Sequence, residues 1–188
     1  MIANHLIFGT YAHWLPNDER GSWSGYIRNK KLLVFGKTTK ISTNHSLTHL
    51  PYDKECRQKI EAVLKFPLVR FNGVQACAVG RGFAQAVTES HYVVFACAIM
   101  PTHVHLVVAA HKNLPRQIIG HFKGRATHYL NQEGLNPLGE NRSPWCVKGW
   151  TVFLDSDDAV WQAIEYVNHN PLEEGLPLQQ WKFVTPYI

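Results

Sequence analysis

Residues 92 to 108 constrain this chain more than any other stretch. Tyr92-Val93-Val94-Phe95-Ala96-Cys97-Ala98-Ile99-Met100 is a nearly continuous apolar run rich in β-forming residues, Met100-Pro101-Thr102 supplies a turn, and His103-Val104-His105-Leu106-Val107-Val108 resumes the β pattern at once. A run of the first kind predicts a central strand buried on both faces. Two such runs joined by a short turn predict an antiparallel hairpin, so any fold for this chain must contain a sheet that is antiparallel at least in part. Alternation along the second strand places His103 and His105 on one face and Val104, Leu106 and Val108 on the other. Two imidazoles on one rigid face are half a metal site, although hydrogen-bonded histidine pairs without a metal also occur on strands.

The 188 residues, 45% of them hydrophobic, can bury a normal core and are short enough for one domain spanning 1–188. No run of eighteen apolar residues occurs, and Met1-Ile2-Ala3-Asn4-His5 lacks the regions of a signal peptide, so a cytoplasmic protein with no membrane partner is expected. Cys56, Cys77, Cys97 and Cys146 form no C-x-x-C pair, which argues against a zinc ribbon or a disulfide framework and for buried, reduced thiols. A net charge of +5, eleven histidines and 12% aromatic residues suit a polyanionic partner.

Taken in order, Leu6 to Ala12 reads as a first strand, followed by a polar loop insertion at about 15–50 that is dense in turn formers. Within it Arg20, Arg28, Lys30 and Lys31 are interleaved with Trp14, Trp23, Tyr26 and Phe35, a mixture able to hold a sugar-phosphate backbone and stack bases. Asp53 to Phe66 carries Cys56, Ile60, Val63 and Leu64 at helical spacing, capped near Asp53 and ended by Pro67. Gly80-Arg81-Gly82 does not complete a dinucleotide fingerprint, and Phe83 to Ser90 reads as a second short helix or the end of a helical hairpin. After the hairpin, Asn113 is the expected cap of a helix with Pro115 in its first turn and Ile118, Ile119, Phe122, Ala126, Tyr129 and Leu130 as its buried stripe. Arg116 and Lys123 are then expected on the opposite side, turned toward phosphate. Trp145 to Leu154 reads as a last strand or hairpin. Asp155-Ser156-Asp157-Asp158 opens a helix ending at about Asn170 before Pro171, with a tail at about 172–188.

On that last helix Val160, Ile164 and Val167 form the core stripe, while Gln162, Tyr166 and Asn170 share another face with His169 at its edge. Tyr166 is therefore not placed as a core tyrosine, and its phenol can face the sheet histidines. Met-Pro-x-His-Val-His-Leu-Val at 100–107, Tyr166-Val-x-x-Asn170-Pro171 running into Leu172-Glu-Glu-Gly175-Leu176, and Tyr11-x-x-Trp14-Leu-Pro-x-Asp18-Glu-Arg-Gly21 together resemble the HUH-type single-tyrosine transposases, especially the REP-associated tyrosine transposases and their relatives.

That resemblance implies a ferredoxin-like α/β (α+β) domain, an antiparallel sheet with helices packed on one face, that nicks and rejoins single-stranded DNA flanked by hairpin or palindromic elements. It makes Tyr166 the nucleophile and the source of a 5′-phosphotyrosine. It also makes His103 and His105 metal ligands and places the third ligand one turn after the tyrosine, at Asn170. His169, three residues on, is chemically the better ligand and remains the rival. Two nitrogens with amide and water oxygens suit Mg2+ or Mn2+, and no nearby cysteine completes a closed zinc site. A monomer is expected in preference to a homodimer. Two other classes stand beside this one: a catalytically silent nucleic-acid-binding domain of the same fold, and a metal-dependent hydrolase of small molecules, for whose usual large barrel the chain is short.

Overall fold

A computed structural model of the chain describes residues 1–22, 25–27, 29–41, 51 and 53–188. In chain order the elements are β1 (Ala3–Gly9), a 3-10 helix (Lys30–Phe35), α1 (Lys54–Ala62), α2 (Gly73–Ser90), β2 (Val94–Ile99), β3 (His103–Ala109), α3 (Pro115–Gln132), β4 (Trp150–Leu154) and α4 (Asp157–Glu173). They fall into two units, Met1–Thr10 with Val69–Ile188, and Tyr11–Leu68.

The smaller unit gathers Ala12, Leu15, Leu32 and Ile60 into a buried cluster, with Tyr11, Phe35, Cys56 and Val63 packed against it. Asp53 caps α1 by accepting from the backbone N–H groups of Glu55 and Cys56. α1 stops at Ala62 instead of Phe66, because Val63 and Leu64 turn into tighter bonds to the carbonyls of Ile60 and Glu61. Asp18 is buried and takes a two-pronged hydrogen bond from Arg20, at 2.8 Å to each oxygen.

The larger unit is a four-stranded sheet in the order β2-β3-β1-β4, antiparallel throughout. With α2 and α3 as its connections this is the βαββαβ succession of a ferredoxin-like domain. Alternation along β1 divides the core. Leu6 and Phe8 face α2 and α3, where Phe8 meets Phe83 edge-on and Phe83 meets Phe122. Ala3 on the other face joins Ala96, Ala98, Met100 and Val107 beneath Val160, Ala163, Ile164 and Val167 of α4. The helices thus occupy both faces: α2 and α3 take the one expected, and α4 closes the other. The alanines on the second face let α4 lie close to the sheet.

The hairpin forms as expected, yet β2 is an edge strand and not a central one. Its apolar run is explained by the C-terminal tail, which covers the open edge. Gln179 accepts from Ile99 N–H and donates to Ile99 C=O, and Thr185 N–H reaches Val94 C=O. β1 begins at Ala3, three residues before the expected start, and the last strand is confined to Trp150–Leu154, with Trp145 only bridging Thr10.

α2 is eighteen residues long, not the short Phe83–Ser90 helix expected, and starts with a capping box between Asn72 and Gln75. Its glycines serve close approach and not a break. A Cβ on Gly80 would lie 2.2 Å from the Trp181 ring, and one on Gly82 2.6 Å from the Ala126 backbone. Leu114, not Asn113, is the α3 cap residue, with Gln117 accepting from its N–H. Pro171 sits inside α4, which continues to Glu173; in the final turn its ring displaces little of the hydrogen-bond ladder. Of the four free cysteines only Cys97 is buried, whereas Cys77 is exposed. Among the described residues no helix is long and apolar enough to cross a membrane.

Candidate active site

The site lies on the α4 face of the sheet. β1 and β3 pair so that Ile7 opposes His105 and Gly9 opposes His103, which puts both histidines in the middle of four strands with a fixed backbone. Their rings meet edge to face at 4.9 Å between centroids. α4 reaches them because Val160, Ala163, Ile164 and Val167 recur at helical spacing and bury onto the alanine-lined sheet. The next position of that stripe is Asn170, only 6% exposed. One turn earlier Tyr166, 40% exposed, lays its ring 5.4 Å from that of His105.

The Asn170 amide lies beside both His103 and Tyr166, and its Oδ1 has no hydrogen-bond donor among the described residues. A buried amide oxygen without a donor is costly unless something positive meets it. His169 is turned elsewhere. It is exposed, and its Nδ1 donates back to the Glu165 carbonyl of its own helix at 2.9 Å. The structure therefore brings His103, His105, Tyr166 and Asn170 together and leaves His169 outside.

A third histidine joins them that the sequence reading did not include. His5, 7% exposed, places Nε2 2.9 Å from His105 Nδ1 and its ring 5.9 Å from that of Tyr166. It precedes the stretch read as the first strand, and only the register of β1 against β3 brings it to this face. Among the described residues no three His, Cys, Asp or Glu side chains converge as a metal cage. A cation here would take two imidazoles and the Asn170 amide oxygen, with positions left for substrate oxygens. That donor set fits Mg2+ or Mn2+.

Burial pulls His5 and His103 down to about 4, opposed at His103 by the neighbouring Asn170 amide, which favours the protonated ring. Both are therefore neutral at physiological pH, the form that can donate a lone pair. Burial raises the Tyr166 phenol above its ordinary value; the Glu173 carboxylate adds to this and the Asn170 hydrogen bond opposes it. The phenol is held protonated until a partner takes its proton.

The basic residues expected at DNA divide. Lys30, Lys31 and Arg116 are exposed. Arg28 lies outside the described residues. Arg20 is committed to Asp18 and stacks 4.3 Å over the Trp14 ring, so its guanidinium is structural and not a free phosphate contact. Lys123 is also a correction. It is 8% exposed, and its ammonium donates to the carbonyls of Cys146 and Lys148 at 2.8 and 3.0 Å. The reason is periodicity, since 123 lies four residues after Ile119 and three before Ala126, inside the buried stripe and not opposite it. Tyr129, expected in that stripe, is only partly buried.

The sequence profile of the family described as "Transposase IS200 like" matches residues 70–170, which span α2 to the Asn170 turn of α4. No curated protein matches the chain. Among solved structures, a REP-associated tyrosine transposase bound to a REP hairpin is similar at 10% identity and a TM-score of 0.49, over 94% of this chain and 70% of that one. A Deinococcus radiodurans R1 protein assigned as a transposase is similar at 14% identity and a TM-score of 0.40, over 93% and 91%. The profile match covers more than half of the chain and includes both sheet histidines, Tyr166 and Asn170, and by it the chain belongs to the IS200-like transposase family.

Proposed function

We propose that this transposase is a single-tyrosine DNA strand transferase acting on single-stranded DNA flanked by hairpin or palindromic elements. The observation that carries the reading is the meeting of Tyr166 with His105, and of Asn170 with both His103 and Tyr166, on the α4 face. Tyr166 Oη gives up its proton to solvent and attacks a phosphodiester in line, its bond to phosphorus forms as the bond to the 3′ oxygen breaks, and the departing oxygen takes a proton from solvent to become a free 3′-hydroxyl, so no net proton is gained or lost. The 5′-phosphotyrosine keeps the energy of the ester it replaced, so a second hydroxyl reverses the step and joins strands without ATP. His103, His105 and Asn170 would hold a Mg2+ or Mn2+ ion, whose positive charge would polarise the scissile phosphate. Asn170, contacting ligand and nucleophile at once, fixes the distance between them. The exposed Lys30, Lys31 and Arg116 offer charge to the phosphate backbone.

The test is to incubate purified protein with labelled single-stranded hairpin DNA and Mn2+, then look for denaturant-resistant protein–DNA adducts. Wild type should form one and Tyr166→Phe none, while both bind the DNA. An adduct with Tyr166→Phe refutes the assigned nucleophile. Binding by wild type with no adduct under any condition points instead to a binding domain of the same fold.

A further inference from the structure

We infer that His5 is a positioning residue that fixes the tautomer of His105 and so presents His105 Nε2 to the metal. The inference rests on the metal reading above and adds to it a residue from β1.

Both sheet histidines are held the same way. His103 Nδ1 is 3.2 Å from Thr102 Oγ1, and His105 Nδ1 is 2.9 Å from His5 Nε2. In each ring it is Nδ1 that meets a neighbouring protein group, Thr102 for His103 and His5 for His105, so Nε2 is the nitrogen through which a metal would be ligated. One proton is shared across the His5–His105 contact, and it can sit in two ways. If His5 donates, His105 carries its own proton on Nε2 and has no lone pair there. If His105 donates from Nδ1, its Nε2 carries the lone pair and His5 acts as acceptor. Only the second arrangement makes His105 a ligand, and metal-bound histidines generally donate their other ring N–H in this manner.

Packing gives a further reason. Ala3 on the same face of β1 belongs to the apolar core, and the pattern of β1 there calls for an aliphatic residue at position 5. An imidazole buried to 7% loses solvation that such a residue would not. Its side-chain hydrogen bond runs to His105, so orienting that ring is the function the geometry gives it.

The test uses full-length protein, Mn2+ alone as probe, and 15N-histidine labelling. Long-range 15N–1H correlation on metal-free wild type should show His105 with its proton on Nδ1, and His5→Leu should abolish that preference. Mn2+ affinity should fall about 10- to 100-fold in His5→Leu and largely recover in His5→Gln, whose amide oxygen can accept the same proton. A wild-type His105 protonated on Nε2 overturns the inference. So does Mn2+ binding that needs His103 and His105 but is indifferent to His5, and in that case the metal site itself survives. Wild type that binds no Mn2+ overturns the metal reading and this inference with it. Should His5→Leu not fold, the wild-type tautomer and the His5→Gln affinity still decide.

Discussion

Gly82→Ala is the substitution whose outcome the structure dictates most sharply. A Cβ at this position would lie 2.6 Å from Ala126 N and Cα and 2.7 Å from Arg125 C, all backbone atoms of α3. Carbon contacts settle at about 3.5–4.0 Å, so α2 and α3 would have to separate by roughly 1 Å. Phe83 and Phe122, with rings 5.0 Å apart beside this crossing, would lose their fit. Overpacking of this kind costs about 1–3 kcal/mol, and a clash against backbone belongs at the upper end. Alanine returns about 1 kcal/mol of helix propensity, leaving a net loss of about 1–2 kcal/mol. Gly120 and Gly124 on α3 are the controls, because a Cβ there meets nothing within 4 Å. Alanine at either should stabilise by about 0.5–1 kcal/mol. Thermal unfolding followed by circular dichroism should separate them, at about 2–4 °C per kcal/mol for a chain of this size. A Gly82→Ala variant melting at or above wild type would refute the close-approach argument.

Three further outcomes follow from charged groups away from the site. Glu89 is held down to about 2 by hydrogen bonds from Gln85, His121 and Arg125, so its contribution to stability is present above its ordinary 4.5 and is lost as pH falls toward 2; Glu89→Gln should therefore flatten the decline of melting temperature across that window, and an unchanged profile would count against the network. Lys123→Met strands the carbonyls of Cys146 and Lys148 and should cost about 1–3 kcal/mol in urea unfolding. It should leave the salt dependence of DNA binding unaltered, whereas Arg116→Ala, if Arg116 meets phosphate, should lower the slope of log affinity against log salt by about 1.

The hairpin, the antiparallel sheet, the Asp53 cap and the helix bearing Tyr166 follow from periods of two and 3.6 and from local capping chemistry, and these were legible in the sequence. So were the sheet histidines sharing a face. Where a signal depends on what packs against it, sequence reasoning failed. Gly80 and Gly82 complete no sequence motif, and their use is seen only once Trp181 and Ala126 are found to need their space. The apolar run of β2 fits a central strand until the tail is found along its edge. Lys123 and Arg20 carry the charge that DNA binding calls for, but their partners are carbonyls and a carboxylate of the chain itself. That Asn170 and not His169 faces the sheet histidines turns on a 100° step around one helix, which composition does not decide and packing does. His5 is the plainest case. Its place beside His105 is set by pairing between residues one hundred apart, and register of that range is fixed by the matching of two buried faces, not by any property of the residues near it.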